Sequence, residues 1–373
     1  MSLLTYQPIK GVYALAAVGF ELIRLPLFIV KYLTSYGRQH PEWTFRQALS
    51  TRMIFAAVYH IANIQAKTLT PLTPGAEKER FVRIKPAGSD QYKGPLRINN
   101  DVQPVEIGAT WYPAPLTNTS EKSNIKVILH IHGGAFVSGD GRTKASGYFA
   151  KLLHKHVGAT HVLMPQYRIS AIPSINPFPA ALQDSLTAYL YLVNDLKIAP
   201  SDIVLSGDSA GANASISLLR YISEFGQDLS LPNPSAALLW SPWIDPSDTS
   251  GDFVHSNPNY ATDYLSVSFV TWGSGAYAGS GGQAILSNPY VSHKNQTFKT
   301  EVPLFVNTGS GEILYFDDVE WAEKMKEAGN DVTLDVEKYV PHDILLIGNV
   351  LGFHKEATSC AKRAGEWLRS KGL

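Results

Sequence analysis

The stretch Asp202-Ile203-Val204-Leu205-Ser206-Gly207-Asp208-Ser209-Ala210-Gly211 decides how this chain is read. Its first half has the short apolar character of a buried strand, and Ala212-Asn213-Ala214-Ser215-Ile216-Ser217-Leu218-Leu219 behind it has helical spacing. A serine between two glycines at such a strand-to-helix switch marks a sharp turn that lifts the hydroxyl above the sheet edge. Glycine flanks it because side chains at those two positions would collide with the neighbouring strand and helix. Ser209 is therefore the candidate nucleophile. Gly-x-Ser-x-Gly alone also describes an ordinary glycine-rich turn, so the flanking strand and helix carry the assignment.

A second motif lies upstream. Asn124-Ile125-Lys126-Val127-Ile128-Leu129-His130-Ile131-His132 reads as a buried strand and runs directly into Gly133-Gly134-Ala135-Phe136. Acyl transfer through a serine creates a tetrahedral oxyanion that needs preorganised N–H donors. Consecutive glycines let backbone approach closely enough to supply them, so Gly133 and Gly134 are candidate donors. Ala210, in the first turn of the helix after the serine, is the third.

The motifs His132-Gly133-Gly134-Ala135, Tyr167-Arg168, Pro177-Phe178-Pro179-Ala180-Ala181 and Gly207-Asp208-Ser209-Ala210-Gly211 occur in the order of a known family. In them the chain resembles the hormone-sensitive-lipase-like branch of the α/β-hydrolases, which includes arylacetamide deacetylases and bacterial and fungal esterases. Trp240-Ser241-Pro242-Trp243-Ile244-Asp245 and Val340-Pro341-His342-Asp343-Ile344-Leu345-Leu346 look most like fungal members, among them steryl acetyl hydrolases and esterases of secondary metabolism. The similarity runs from about residue 80 to the C-terminus. It implies an α/β-hydrolase fold: eight mostly parallel strands, helices on both faces and a helical cap. One departure is Ala135, where a third glycine is common; a methyl there is tolerable if Gly133 and Gly134 are the donors.

This fold orders its catalytic groups as nucleophile, acid, histidine. Pro303-Leu304-Phe305-Val306-Asn307-Thr308 reads as a strand ending in Gly309-Ser310-Gly311-Glu312, and Glu312 matches the family's acid position. Asp317 and Asp318 are rivals, but they suit the first turn of a helix, with Asp317 and Glu320 spaced as a capping box. Asp245, on an earlier loop, is a weaker rival. His342 comes last, after the strand-like Val332 to Val336, where it would take the Ser209 proton and return it to the leaving alcohol.

The remaining histidines read as structural. His130 and His132 would face the same side of a strand, yet no third ligand has metal-site spacing, so no metal is expected. No cofactor is expected either. With 32 basic and 32 acidic residues, the chain has no net field for nucleic acid, and no basic stripe interleaved with aromatics is present. A lone Cys360 forms no internal disulfide and allows a reducing compartment, so the expected location is intracellular, cytoplasmic or at the endoplasmic-reticulum membrane. Of three sequons, Asn118, Asn213 and Asn295, the second falls where a glycan could hardly fit.

Strand-like runs open at Phe81, Val105, Asn124, His161, Ile203, Ala236, Pro303 and Val332, alternating with helical spacing after the first two. Two regions interrupt the pattern. Residues 1–75 read as an N-terminal helical cap segment, in which the apolar runs Gly11 to Phe20 and Leu25 to Val30 are separated by Glu21 and Arg24. A spanning helix disfavours such charges, and a signal peptide would need a cleavage site that is not evident. Peripheral membrane contact and simple packing on the core are both open. The catalytic domain is residues 76–373, with a cap insertion at about 246–292 rich in glycine and aromatic residues.

A serine with oxyanion donors fits carboxylic esters. By resemblance, the expected substrate is a small hydrophobic ester, a short acyl group on a bulky alcohol or metabolite of sterol or polyketide type. A homodimer is compatible with the sequence. Two alternatives stay open. Some fungal relatives in biosynthetic clusters catalyse a non-hydrolytic cyclisation or lactone step. Gibberellin receptors use the scaffold to bind ligands but lack the histidine that His342 provides here.

Overall fold

The computed structural model describes residues 3–116 and 125–373. The Asn118 sequon and Asn124, the first residue of the expected third strand, lie outside them. All eight expected strands form: β1 (Phe81–Ile84), β2 (Ile107–Tyr112), β3 (Val127–Ile131), β4 (His161–Gln166), β5 (Ile203–Asp208), β6 (Ala236–Trp240), β7 (Leu304–Gly309) and β8 (Val332–Glu337). They build one sheet in the order β1-β2-β4-β3-β5-β6-β7-β8. The β1–β2 and β2–β4 pairs are antiparallel, and every other pair is parallel. Every residue of β3, β5, β6 and β7 is buried. Uninterrupted apolar runs are what a parallel sheet covered on both faces requires.

Eleven helices accompany the sheet among the described residues: α1 (Ile9–Tyr32), α2 (Phe45–Asn63), α3 (Thr143–Leu152), α4 (Ala180–Leu190), α5 (Ala210–Leu229), α6 (Gly251–Ser256), α7 (Val267–Ala278), α8 (Gly282–Leu286), α9 (Tyr315–Glu327), α10 (Ile344–Leu351) and α11 (His354–Ser370). The helices α4 and α5 pack on each other and on the central strands, while α11 packs on α3, β7 and β8. Helices α6, α7 and α8 fall within residues 246–292, and α7 packs against α2.

Helix α1 continues through Glu21 and Arg24, the two charges between its apolar runs. Their charges are met locally: Glu21 lies 3.3 Å from Arg24 and 3.4 Å from both Arg52 and His60 on α2. The Asp317–Glu320 capping box does not form. Helix α9 has Leu314 as N-cap, three residues before Asp317; Asp317 and Asp318 lie in its first turn as expected, and Asp317 pairs with Lys294 at 2.8 Å.

The chain crosses this sheet so that the loops after β3, β5, β6, β7 and β8 gather at the C-terminal edges of adjacent parallel strands. Such an edge is where α/β sheets present ligand-binding groups.

Candidate active site

β5 runs through Gly207 and Asp208, and Ser209 follows with φ +50° and ψ −118°, a strained conformation for a non-glycine residue. Two hydrogen bonds to the β6 loop hold it: Ser209 N–H donates to Trp240 O (2.9 Å) and Trp243 N–H donates to Ser209 O (3.0 Å). The flanking glycines are obligatory. A Cβ on Gly211 would lie 2.0 Å from Ile131 O on β3, and one on Gly207 would lie 2.4 Å from Gly211 O and 2.5 Å from Ser215 Oγ in α5.

The loop after β3 meets this elbow edge-on. A Cβ on Gly133 would sit 2.3 Å from Asp208 Oδ2 and 3.0 Å from Ser209 Cβ, so Gly133 backbone lies directly beside the serine. The loop then turns through three consecutive positive φ angles at Gly134, Ala135 and Phe136. Ala135 at φ +52° costs about 1 kcal/mol relative to glycine. Its methyl faces Gly273 of α7, where an added Cβ would come within 2.6 Å of the Ala135 Cβ. The methyl that stands where the family commonly has a third glycine thus packs against α7. Ala210 opens α5, immediately behind Ser209.

On the loops after β7 and β8, Glu312 Oε2 lies 2.6 Å from His342 Nδ1, with both residues buried. Three donors converge on the other oxygen of Glu312: Ser241 Oγ (3.0 Å), Thr308 Oγ1 (2.7 Å) and Gly309 N–H. Burial alone pushes the His342 imidazole toward its neutral form. The hydrogen bond and charge of Glu312, with the charges of Asp263 and Asp208, outweigh that and hold its pKa above the ordinary histidine value. The Asp208 contribution places His342 within electrostatic reach of the residue adjoining Ser209.

Thr308 presents a proton-counting problem. Its Oγ1 lies 2.7 Å from Glu312 Oε1 and 2.7 Å from Asp318 Oδ2, but a hydroxyl carries one proton. One carboxyl must therefore supply its own. Burial, followed by the Glu312 charge, raises Asp318 well above the usual carboxylate range, so Asp318 is the protonated partner. The hydrogen-bond chain then runs from Asp318 through Thr308 to Glu312 and on to His342.

A second buried carboxyl pair lies beneath the serine. Burial and the neighbouring Asp208 carboxylate raise Asp343 well above the usual range. Asp208 is itself held low despite burial, chiefly by His130. His130 Nε2 approaches Asp208 Oδ1 at 2.9 Å, and its Nδ1 lies 2.9 Å from Ser206 Oγ. His132 stacks on Tyr167 (4.1 Å between ring centroids), whose hydroxyl donates to His132 O at 3.0 Å.

The other sequence candidates lie elsewhere. Asp245 accepts from Ser247 and Ser292, and Asp317 engages Lys294. Asn213 is wholly buried, donating to Trp243 O and Val291 O. Four polar residues around the acid and histidine were not anticipated as site residues: Ser241, Asp263, Thr308 and Asp343. Ser241 joins three elements, since it also accepts from Asp343 N–H at 3.2 Å.

Residues 128–346, more than half of the chain, match the family of proteins with the alpha/beta hydrolase fold, and the chain belongs to that family. An acetyl-hydrolase from Streptomyces hygroscopicus is 28% identical over 211 residues, covering 56% of this chain and 65% of that protein. An esterase from Acinetobacter venetianus is 28% identical over 221 residues, covering 59% and 67%. Among solved structures, an esterase of the bacterial hormone-sensitive lipase family superposes with a TM-score of 0.61 at 22% identity, covering 88% of this chain and 99% of that one.

Proposed function

We propose that this chain is a serine carboxylic-ester hydrolase that works through an acyl-enzyme. Ser209 attacks the ester carbonyl while His342 accepts its proton and later returns it to the departing alcohol. Glu312 orients the imidazole and balances its positive charge. The N–H groups of Gly133, Gly134 and Ala210 bind the tetrahedral oxyanion, aided by the N-terminus of α5. Water then repeats the attack on the acyl-enzyme, with His342 again as base.

The observation that carries this reading is the buried 2.6 Å contact between Glu312 and His342 on the loops after adjacent strands, together with the strained elbow at Ser209. A short acyl group on a bulky hydrophobic alcohol is favoured as substrate, because aromatic side chains crowd the site. Tyr264 lies 5.9 Å from the His342 ring, and Phe136 stacks on Tyr277 at 3.7 Å with Trp243 alongside. Residues 1–75 and the insertion at 246–292 act as its cap in this reading. Assays with p-nitrophenyl acetate and butyrate test it. Turnover that disappears in Ser209→Ala supports an esterase, whereas an inert wild type favours a non-hydrolytic step or a binding role.

The reading includes membrane contact through α1. This helix has a mean hydropathy of 1.8 over its most apolar window, and only Ala17, Glu21 and Tyr32 of its residues are buried. Val12, Leu15, Val18, Leu22, Ile23, Leu27 and Val30 face outward, while Glu21 turns to α2. Its 24 residues extend about 36 Å, comparable with a bilayer's hydrocarbon thickness of about 30 Å. Deleting residues 1–30 should release the protein from a membrane fraction. Unchanged partitioning would refute this.

A further inference from the structure

The loop between α6 and α7 belongs to the insertion, yet it grips both catalytic strand ends. Asn257 Nδ2 donates to Ile313 O (2.8 Å), Asn259 Nδ2 to Glu312 O (2.9 Å) and Thr262 Oγ1 to Gly311 O (2.7 Å). These three bonds fasten the insertion to the acid loop. Asp263 does more. Its Oδ2 accepts from Ile313 N–H at 2.7 Å, while its Oδ1 accepts from His342 N–H at 3.3 Å and from Tyr264 N–H at 2.6 Å.

We propose that Asp263 is a positioning residue: one buried carboxylate, bonded at once to the residue after Glu312 and to His342, fixes the separation of acid and histidine. The inference rests on the esterase reading above. Each of these partners is a backbone donor, so the ionised carboxylate is the form that fits. Asp263 touches neither the serine nor the face of the imidazole that would meet substrate through any of these bonds.

The charge state of Asp263 is therefore part of the device. His342 and Glu312 face it from the catalytic loops, and Tyr264 adjoins it on its own segment. Lys31, Tyr32 and Arg52 of α1 and α2 share with it a cavity of about 270 Å³. Burial is the dominant influence and, with the Glu312 charge, pushes the Asp263 carboxyl up to about 6 against the opposing pull of His342 and the backbone donors. Below that pH the carboxyl takes a proton. The grip on the two loops weakens, and the compensating charge opposite His342 is lost.

Asp263→Asn, with the wild type beside it, tests the proposal through kcat, KM and the pH profile. Misplacement of a catalytic group by about 1 Å can cost 10²-fold, so kcat should fall about 10- to 100-fold near pH 8 with KM little changed. The ratio of wild-type to variant kcat/KM should collapse as pH falls through about 6, where the wild type loses the same charge. Thr262→Ala, which removes one bond to the acid loop alone, should alter thermal stability without moving the acid limb. A wild-type-like kcat in Asp263→Asn, or a ratio constant across pH, would overturn the proposal. Should that variant not fold, the wild-type profile decides. A slope that steepens from one proton to two below pH 6 supports the proposal, and a slope of one throughout overturns it. A wild type inert towards every ester would instead sink the esterase reading on which it depends.

Discussion

Replacing Glu312 by glutamine probes the acid–histidine pair with the least change of shape. Three donors, Ser241 Oγ, Thr308 Oγ1 and Gly309 N–H, converge on Oε1, so the amide oxygen is compelled to take that position. The NH2 then faces His342 Nδ1, which lies 2.6 Å from Oε2 in the wild type. An imidazole opposite a donor must accept through Nδ1 and carry its proton on Nε2, the tautomer that cannot deprotonate a serine. The variant also removes the charge that balances the imidazolium. Two unit charges about 4 Å apart at an effective dielectric of about 20 interact by about 4 kcal/mol, which is about 10³-fold in rate. With the tautomer penalty added, kcat for p-nitrophenyl butyrate should fall about 10³- to 10⁴-fold, with KM little changed and a melting transition still present. A folded variant that loses less than tenfold would refute the assignment of Glu312.

Further outcomes follow from the same contacts. Gly133→Ala would force a methyl against Asp208 Oδ2 and Ser209 Cβ, and kcat should drop about 100-fold, as measured on any turned-over ester. Asp318→Asn preserves the donor that a protonated acid offers Thr308, so its activity should stay within about threefold of wild type, while Asp318→Ala should lose more; the reverse order would mean Asp318 is ionised. Because the His342 pKa is raised and the base must be neutral, kcat/KM should rise with pH through a limb above the ordinary histidine value of about 6.5. The same shift stabilises the fold below about pH 6.5, and that stabilisation is lost as pH climbs through the folded value, which urea titration at several pH values would detect.

The strands were legible because each is a short apolar run, and in β3, β5, β6 and β7 burial on both faces left no alternation to misread. Ser209 was legible through its neighbours: only glycine fits beside Ile131 O and Ser215 Oγ, and the sequence has glycine at both places. Glu312 and His342 were expected from the family resemblance, from its order of acid and histidine and from the strands that precede them, and the structure brings the two side chains together. Ser241 and Asp263 carry no such local mark: Ser241 meets Glu312 from 71 positions away, and Asp263 meets Ile313 from 50 and His342 from 79. Thr308 is only four residues from Glu312, but nothing in that spacing marks it as a donor to the carboxylate.

The attacking atom itself can be caught. Incubating the protein with a p-nitrophenyl phosphonate, then measuring intact mass and mapping the modified peptide, should show one adduct per chain, on Ser209, with release of p-nitrophenolate in step. The same reagent should leave Ser209→Ala unmodified. An adduct on any other side chain, or none on a folded wild type, would contradict the account.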